Sequence, residues 1–411
     1  MWTWRPLRPH NFRSTETVSK IKALIGRGVS RLITSTGVQD FRRALHALQR
    51  RSLGRAPTVH YFHQPDDPYS QLLARCLPTL QSRYTISMVS HVVPPPDAAA
   101  APDIERLRTW SLRDANRLAC ALSGLPPLEA TAAASQAVSA TALAEGGALR
   151  KQLGHYLGAT LYFEGEWYWG VDRLHYLEAR LAKAGLRLGA PLDNNQPHYI
   201  FPPRTLQFQP INAARSLRPV IHFYCSLRSP YTYLAARQVR ELANHYGAEL
   251  HLRFVLPMVM RGLPVPLPKR LYILRDTKRE ADRLGQPFGC VVDPVGRPVE
   301  NGLALLHAAI KTGQGSALLE SFLEGVFAQG LDASSVHGLE HIARRAGMSS
   351  ADCTAALRDD AWRAVAETNR SDMLERGVWG VPSFRVNDMP VLWGQDRLWM
   401  LEEDLIAALR K

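Results

Sequence analysis

The sequence predicts an α/β protein built from two copies of one mixed unit. Two pairs of matching segments indicate the duplication. Residues 59–75, VHYFHQPDDPYSQLLAR, align without a gap on residues 221–237, IHFYCSLRSPYTYLAAR. Further along, residues 158–178, GATLYFEGEWYWGVDRLHYLE, resemble residues 380–402, GVPSFRVNDMPVLWGQDRLWMLE, with two residues fewer in the first copy. Two matched anchors in the same order are typical of an internal duplication.

Each copy begins with a strand followed by a helix. Residues 220–224 form an apolar and aromatic run that is typical of a buried strand. After a short polar break, Ser229 and Pro230 predict a helix start, with the serine as N-cap and the proline in the first turn. A second strand is expected at residues 249–256, and its counterpart in the first copy at residues 84–93.

The remaining elements complete the unit. Helical patterns fill residues 101–157 in the first copy and 269–376 in the second, and a strand, a strand and a helix follow in each. This is the order of the thioredoxin fold with a helical insertion between its two halves. The sequence therefore predicts two tandem thioredoxin-like domains, each with a helical insertion, at residues 56–186 and 219–411. A proline-containing linker at residues 187–218 joins them.

The first 55 residues predict a separate basic segment of amphipathic helices. They contain twelve Lys or Arg and only Glu16 and Asp40 as acids, so they carry +10 of the net charge of +13. Three interpretations stay open: packing on the domain that follows, peripheral contact with a membrane, or an organelle address. Nucleic acid is not expected as a partner, because the basic residues have no interleaved aromatic residues and no known binding module around them.

The cysteines and histidines predict no disulfide framework and no metal. Five cysteines are scattered without a C-x-x-C pair, and fourteen histidines form no ligand motif. No apolar run approaches the roughly 18 residues of a membrane span. We expect a cytoplasmic protein, with organelle targeting by the basic N-terminus as the alternative.

The second copy resembles 2-hydroxychromene-2-carboxylate isomerases and kappa-class glutathione transferases, which are DsbA-like thioredoxin-fold proteins. The resemblance extends over residues 219–409 and, more faintly, over residues 57–185. Four segments carry it, in order: SPYTYLA at 229–235, KRLYILRD at 269–276, GVWGVPSF at 377–384 and WGQDRL at 393–398.

The resemblance implies a site for glutathione as cosubstrate. Ser229 matches the serine that holds the glutathione thiol as a thiolate, helped by the helix N-terminus. Val381 and Pro382 match a cis-proline loop that pairs with the cysteinyl part. Gln395 and Asp396 match the residues that bind the γ-glutamyl end of glutathione. Lys269 matches a basic residue that reaches the glycyl carboxylate or the substrate.

Two departures from the family pattern stand out. The family's asparagine before the Lys269 match is missing from MVMRGLPVPLPKR at residues 258–270. In the first copy, Asp67 replaces the serine and Thr160 is expected at the position of the cis-proline. A carboxylate at residue 67 would repel a thiolate, so we expect the first copy to lack the chemistry. It would pack on the second copy like the partner in a dimer, giving a monomeric pseudo-dimer, although a homodimer of chains is also open.

These features predict a glutathione-dependent isomerase or transferase that acts on a small conjugated or electrophilic substrate. One alternative is a DsbA-like thiol–disulfide oxidoreductase or peroxidase that uses glutathione or Cys225. Ser229 and Thr232 stand where a C-x-x-C pair would be, which excludes dithiol exchange at that position. The other alternative is a non-catalytic tandem thioredoxin-fold adaptor.

Overall fold

The computed structural model describes residues 12–122, 128, 139–189, 198–210 and 218–410, with side chains given for Ile21 and from residue 23 onward. Parts of the predicted linker at 187–218 and of the alanine-rich tract in the first insertion lie outside these ranges. The described linker residues 198–210 form no helix or strand. They contact both halves: the backbone N–H of Ile200 donates to the Glu178 carboxylate of the first half at 2.8 Å, and those of Gln207 and Phe208 donate to the Glu402 carboxylate of the second half at 2.7 and 2.6 Å.

Two helices come first, and four strands and four α-helices follow in the described part of the first half. The N-terminal helices are α1 (Phe12–Thr34) and α2 (Thr36–Ser52). The strands of the first half are β1 (Thr58–His63), β2 (Ser87–Val92), β3 (Thr160–Phe163) and β4 (Glu166–Trp169). Its helices are α3 (Pro68–Arg83), α4 (Ile104–Ala121), α5 (Ala140–Gln152) and α6 (Leu174–Lys183).

The second half repeats this order with a longer insertion. Its strands are β5 (Val220–Cys225), β6 (Glu249–Phe254), β7 (Ser383–Val386) and β8 (Leu392–Trp393). Helix α7 (Pro230–Tyr246) connects β5 to β6, α14 (Leu398–Leu409) follows β8, and the insertion lies between β6 and β7. The inserted helices are α8 (Leu267–Arg283), α9 (Arg297–Lys311), α10 (Gly315–Glu324), α11 (Val336–Arg345), α12 (Ser350–Ala356) and α13 (Trp362–Glu375).

The two sheets have the same topology. Their strand orders are β2-β1-β3-β4 and β6-β5-β7-β8. In each, the first two strands pair in parallel and the last two are antiparallel to their neighbours. The thioredoxin fold expected for the second copy is therefore present, and the first half has a sheet of matching order.

The central strand of the second sheet is buried on both faces, as its apolar sequence predicts. From Ile221 to Cys225 every residue of β5 is buried. The Phe223 ring stacks on Phe384 of β7, with ring centroids 5.1 Å apart. Since the chain leaves this strand directly toward Ser229, the rigid sheet sets the position of the helix start that follows.

The strand registers correct one expectation for the first half. Phe62 lies opposite Thr160, and the matching Tyr224 lies opposite Ser383. Thr160 therefore corresponds to Ser383, and Ala159, with φ of 52°, takes the position of Pro382. The assignment of Thr160 to the proline position was wrong, because only one of the two missing residues falls in the β3–β4 turn, while the other is missing before β3 and shifts the match by one position.

Candidate active site

Ser229 caps the N-terminus of α7, as the sequence predicts. Its side-chain oxygen accepts the backbone N–H of Thr232 at 3.1 Å, and Pro230 begins the helix. Its hydroxyl proton is directed at the carbonyl of Val381, 3.4 Å away. A contact of this length is at the long end for an O–H donor. The half-buried hydroxyl can therefore turn to a better acceptor at little cost.

The loop that faces Ser229 is held rigidly. The Val381–Pro382 bond is cis, which confirms the prediction. A Cβ atom on Gly380 would lie only 2.1 Å from the Trp393 ring, so only glycine fits there without displacing that ring. The backbone N–H of Gly394 donates to the Pro382 carbonyl at 2.8 Å. The proline loop and the WGQDRL segment thus form one packed unit.

Gln395 and Asp396 lie in a short 3₁₀ turn, Gln395–Arg397, directly before α14. The Gln395 amide donates to the Asp396 carboxylate at 3.1 Å. Both residues line a small cavity of about 40 Å³ together with Arg173 of the first half. The predicted γ-glutamyl site is therefore shared between the two halves of the chain.

Arg173 joins the halves at this point. Its guanidinium donates to Asp396 at 2.9 and 3.1 Å and to Asp276 of α8 at 2.7 and 2.8 Å. Burial alone would lower the pKa of Arg173, but Asp276, Asp396 and Glu280 raise it well above its usual value. Arg173 is therefore a permanent charge that holds the Asp396 carboxylate in place.

Arg397 makes the reciprocal contacts in the other direction. It donates to Asp114 of α4 at 2.8 and 2.9 Å and to Asp172 at 2.9 and 3.0 Å. The relation extends to a tyrosine in each half: Tyr69 donates to Asp114 at 2.7 Å and Tyr231 to Asp276 at 2.8 Å. Each half thus lends one arginine to the other, in the manner of a two-fold symmetric dimer.

Lys269 lies beside the proline loop, as the resemblance implies. Its ammonium group is 5.6 Å from the centre of the Trp379 ring, and it donates to the Ala100 carbonyl of the first half at 2.8 Å. Burial lowers the pKa of Lys269 to about 8. Lys269 is therefore partly desolvated and lies in contact with both halves of the chain.

Arg261 is a second cation at the same loop, which the sequence reasoning missed. Its guanidinium donates to the Trp379 carbonyl at 3.2 Å, and burial lowers its pKa to about 10. Its Nε atom is buried without a hydrogen-bond partner among the described residues. The sequence does point to this residue, because Arg261 is a basic residue within MVMRGLPVPLPKR, the segment that lacks the family's asparagine.

Residues 220–406 match the family model of the DSBA-like thioredoxin domain. The C-terminal half is a DsbA-like thioredoxin domain. The chain is also similar to 2-hydroxychromene-2-carboxylate isomerases. The one from Pseudomonas sp. (strain C18) is 25% identical over 193 residues, covering 44% of this chain and 88% of the relative. The one from Sphingobium xenophagum is 25% identical over 198 residues, covering 45% of this chain and 97% of the relative.

A solved structure of a 2-hydroxychromene-2-carboxylate isomerase is similar at 23% sequence identity. The match covers 46% of this chain and 96% of that one, with a TM-score of 0.39.

The DsbA-like domain has no accessible thiol at its helix start. Thr232 stands where the second cysteine of a C-x-x-C pair would be, and it is fully buried. Cys225, at the end of β5, is also fully buried, and this burial raises the pKa of its thiol far above the usual value. The neighbouring Arg228 is held by Asp293 in two hydrogen bonds of 2.6 Å. In the described part of the chain no three His, Cys, Asp or Glu residues are grouped to hold a metal ion.

In the first half, the position that matches Ser229 is closed by internal hydrogen bonds. The Asp67 carboxylate accepts the Ser70 N–H at 2.9 Å and the Ser70 hydroxyl at 2.8 Å. The Ser70 oxygen in turn accepts the N–H groups of Gln64 and Ala159 at 3.1 and 2.8 Å. Burial raises the pKa of Asp67 to about 6. All donors that could meet a ligand at this helix start are therefore used within the protein.

Proposed function

We propose that this chain is a glutathione-dependent isomerase or transferase whose active site lies at the start of α7. One observation carries the proposal: the half-buried Ser229 hydroxyl lies at a helix N-terminus and faces the Val381 carbonyl at 3.4 Å. Neither residue 229 nor residue 232 is a cysteine, so the nucleophile must come from the ligand. A hydroxyl donor and the helix dipole together favour an anion at this point.

In the proposed reaction, glutathione supplies the nucleophile and Ser229 stabilises it. The hydroxyl leaves its long contact with Val381 and donates to the glutathione sulfur, which lowers the thiol pKa. The thiolate forms a C–S bond with an electrophilic carbon of a conjugated substrate. The addition breaks the π bond of the attacked C=C, whose electrons move into the conjugated system. In an isomerase the former double bond rotates and then re-forms as the C–S bond breaks and the thiolate leaves unchanged. In a transferase the conjugated anion takes up a proton and the thioether adduct leaves.

We propose that the remaining groups hold the two ends of glutathione. The Asp396 carboxylate, positioned by Arg173, accepts from the γ-glutamyl ammonium group, while the Val381 backbone pairs with the cysteinyl part. Lys269 and Arg261 flank Trp379 with desolvated positive charge. A carboxylate there would meet two cations that have lost part of their hydration, which favours the glycyl end of glutathione or an anionic group of the substrate.

We further propose that the first half is a thioredoxin-like domain that no longer carries out chemistry and completes the site from outside. Its sheet order, the reciprocal pair Arg173 and Arg397, and the closed position at Asp67 support this assignment. The chain would then be a monomer that contains its own dimer partner. All five cysteines are free, which fits a reducing compartment such as the cytoplasm, where glutathione is abundant.

Glutathione binding to the full chain tests the proposal. Calorimetry should show binding, and ultraviolet absorbance should show thiolate in the complex at neutral pH. Ser229→Ala should leave the affinity nearly unchanged and raise the pKa of the bound thiol. The matched control is Ser335→Ala, because Ser335 caps α11 with a bond to Gly338 and should cost similar helix stability.

Two outcomes would overturn the proposal. Absence of glutathione binding would favour the non-catalytic adaptor. A thiolate signal that is the same in Ser229→Ala and in the wild type would remove the role of the serine. The thiol–disulfide alternative requires insulin reduction that survives Ser229→Ala and is lost in Cys225→Ser, a thiol that is buried in the structure.

A further inference from the structure

Helix α1 packs on the protein through a small and polar face. Ala23, Ser30 and Thr34 are 4%, 5% and 6% exposed. The Ser30 hydroxyl accepts the Val291 N–H at 2.9 Å, and the Arg27 guanidinium donates to the Gly330 carbonyl at 2.8 Å. These residues recur three to four positions apart, so they form a single face of the helix.

The seat for this face is closely fitted. A Cβ atom on Gly289 would lie 2.5 Å from the Thr34 hydroxyl, and one on Gly26 would lie 3.4 Å from the Val291 carbonyl. Gly289 has φ of 125°, which other residues rarely adopt. The close fit and the specific hydrogen bonds fix which face of α1 points inward.

Helix α2 also turns a polar face inward. Arg43 donates twice to Glu166 at 3.1 Å, and Arg50 donates to Glu164 at 2.7 Å. Gln39 also donates to Glu166. A Cβ atom on Gly165 would lie 2.6 Å from the His46 ring. Residues 39, 43, 46 and 50 thus anchor α2 to the β3–β4 turn along one stripe.

The opposite faces of both helices are apolar and exposed. On α1 and α2 eight large apolar side chains are more than half exposed: Ile21 52%, Leu24 66%, Ile25 59%, Val29 51%, Leu32 62%, Phe41 69%, Leu45 54% and Leu48 65%. Residues 21–53 hold nine of the seventeen large exposed apolar side chains of the described residues, so this exposure is concentrated and not scattered. Most surface helices turn their apolar stripe toward the core, whereas these two helices turn it toward the solvent.

Arginines border this outward face. Arg31, Arg42, Arg51 and Arg55 are exposed, and none of them has an ion-pair partner among the described side chains. At about 100° per residue, Arg42 and Arg51 fall on opposite sides of the stripe formed by Phe41, Leu45 and Leu48. The long aliphatic stems of arginine allow the charges to reach away from the apolar stripe.

We propose that α1 and α2 form a docking surface that lies flat on an anionic lipid bilayer. The apolar stripes enter the boundary of the acyl chains, and the bordering arginines meet lipid phosphates. In the described part of the chain, no helix has the length and apolar character needed to cross a membrane. The surface therefore binds the protein to the membrane peripherally.

Charge favours a lipid surface over a second copy of the chain. From residue 21 to residue 55 the one acidic residue is Asp40, and it is already paired with Arg43 at 3.1 Å. A symmetric contact between two copies of this face would bring arginines together without carboxylates to oppose them. Anionic headgroups supply the missing negative charge.

Flotation of the full chain with lipid vesicles tests the proposal. The chain should float with vesicles of equal parts phosphatidylcholine and phosphatidylglycerol, should not float with phosphatidylcholine alone, and should be released as salt is added. Leu24→Ser/Leu32→Ser/Leu45→Ser should lower partitioning by more than about tenfold. Arg31→Gln/Arg42→Gln/Arg51→Gln should lower it roughly fivefold per charge removed.

A matched control is Val336→Ser/Leu357→Ser, two exposed apolar positions outside the docking surface, which should bind like the wild type. Circular dichroism checks that each variant is folded. Partitioning that is unchanged in the triple leucine variant, or equal on neutral and anionic vesicles, would overturn the proposal. Self-association that the leucine variant abolishes, without vesicle binding, would show that this face is an interface between copies. Neither result bears on glutathione binding.

Discussion

Helices α3 and α7 begin at matching positions, but their capping residues leave different groups available. Asp67 uses its carboxylate on Tyr69 and Ser70, and Ser70 closes the space toward Gln64 and Ala159. Ser229 accepts a single N–H and directs its proton at a carbonyl 3.4 Å away. Thr232, which matches Ser70, has a buried hydroxyl without a partner in the described part of the chain. The capping groups are thus satisfied internally in the first half, whereas the second half keeps one long contact at Ser229 and one unpaired hydroxyl at Thr232.

Unlike the two helix starts, the contacts between the halves are nearly symmetric. Arg173 and Arg397 are 4% exposed, and each binds two carboxylates of the opposite half. The two halves therefore share a reciprocal interface and differ at the helix start. Substitutions at matching positions test this difference.

The largest expected effect is loss of a bridging arginine. Arg173→Met leaves the carboxylates of Asp276, Glu280 and Asp396 without their shared cation and should lower the free energy of unfolding by about 3–5 kcal/mol. Arg397→Met strands only Asp114 and Asp172 and should cost somewhat less. Urea unfolding measures both. The control is Arg237→Met, which breaks an exposed pair with Glu241 and should cost less than about 1 kcal/mol. Equal losses in all three variants would contradict the bridging role.

The second effect concerns the helix start itself. Ser229→Asp places the residue of the first half in the second, and a carboxylate beside the thiolate should lower turnover with glutathione by at least about 100-fold. The absorbance titration should show a raised pKa for the bound thiol. The reverse exchange, Asp67→Ser, should create no second thiolate site, since Ser70 and Ala159 still close the space. Binding of two glutathione molecules by that variant would refute this explanation.

The third effect is a pH dependence that belongs to the first half. The pKa of Asp67 is about 6 in the folded protein, above its ordinary value of 3.8. The folded state therefore binds this proton more tightly, and wild-type stability should fall as pH rises from about 4 to about 6. Asp67→Asn should be more stable than the wild type at neutral pH by up to about 2 kcal/mol, with no difference below pH 4. Thermal unfolding across this range measures the gap, and a gap that does not vary with pH would count against the buried carboxylate.

The smallest effect concerns Lys269. Leu107 is separated from Lys269 by the same number of residues as Asp114 is from Asp276. The first half therefore has a leucine and no cation at the position that matches Lys269. Because burial lowers the pKa of Lys269 to about 8, the charge is lost as pH rises through this value. Glutathione affinity should weaken a few-fold over this interval, by about 0.5–1 kcal/mol for one charged contact. In Lys269→Met the affinity should be weaker and independent of pH there, and a persistent pH dependence would assign it to another group.

Local patterns in the chain were sufficient to predict the repeated frame and the starting points of its helices. The cis bond before Pro382 and the DsbA-like fold of the second half were expected from the resemblance of four motifs to a known family, and both are present. The predicted strand at residues 220–224 and the cap at Ser229 depend on neighbours close in sequence, and the structure contains both. Such features are readable because a few adjacent residues determine the backbone conformation.

Only the tertiary structure decided the features that depend on distant partners. Arg173 binds Asp396, which is 223 residues away, and Arg261 reaches the Trp379 carbonyl across 118 residues. The strand register placed Ala159 at the proline position, because one of the two missing residues is lost before β3 and only the other in the β3–β4 turn. The amphipathic pattern of α1 and α2 showed an apolar stripe, but only their anchors to Gly330, Val291 and the β3–β4 turn turned that stripe outward. Sequence periodicity specifies that a helix has two different faces, and the partners packed against it determine which face meets the solvent.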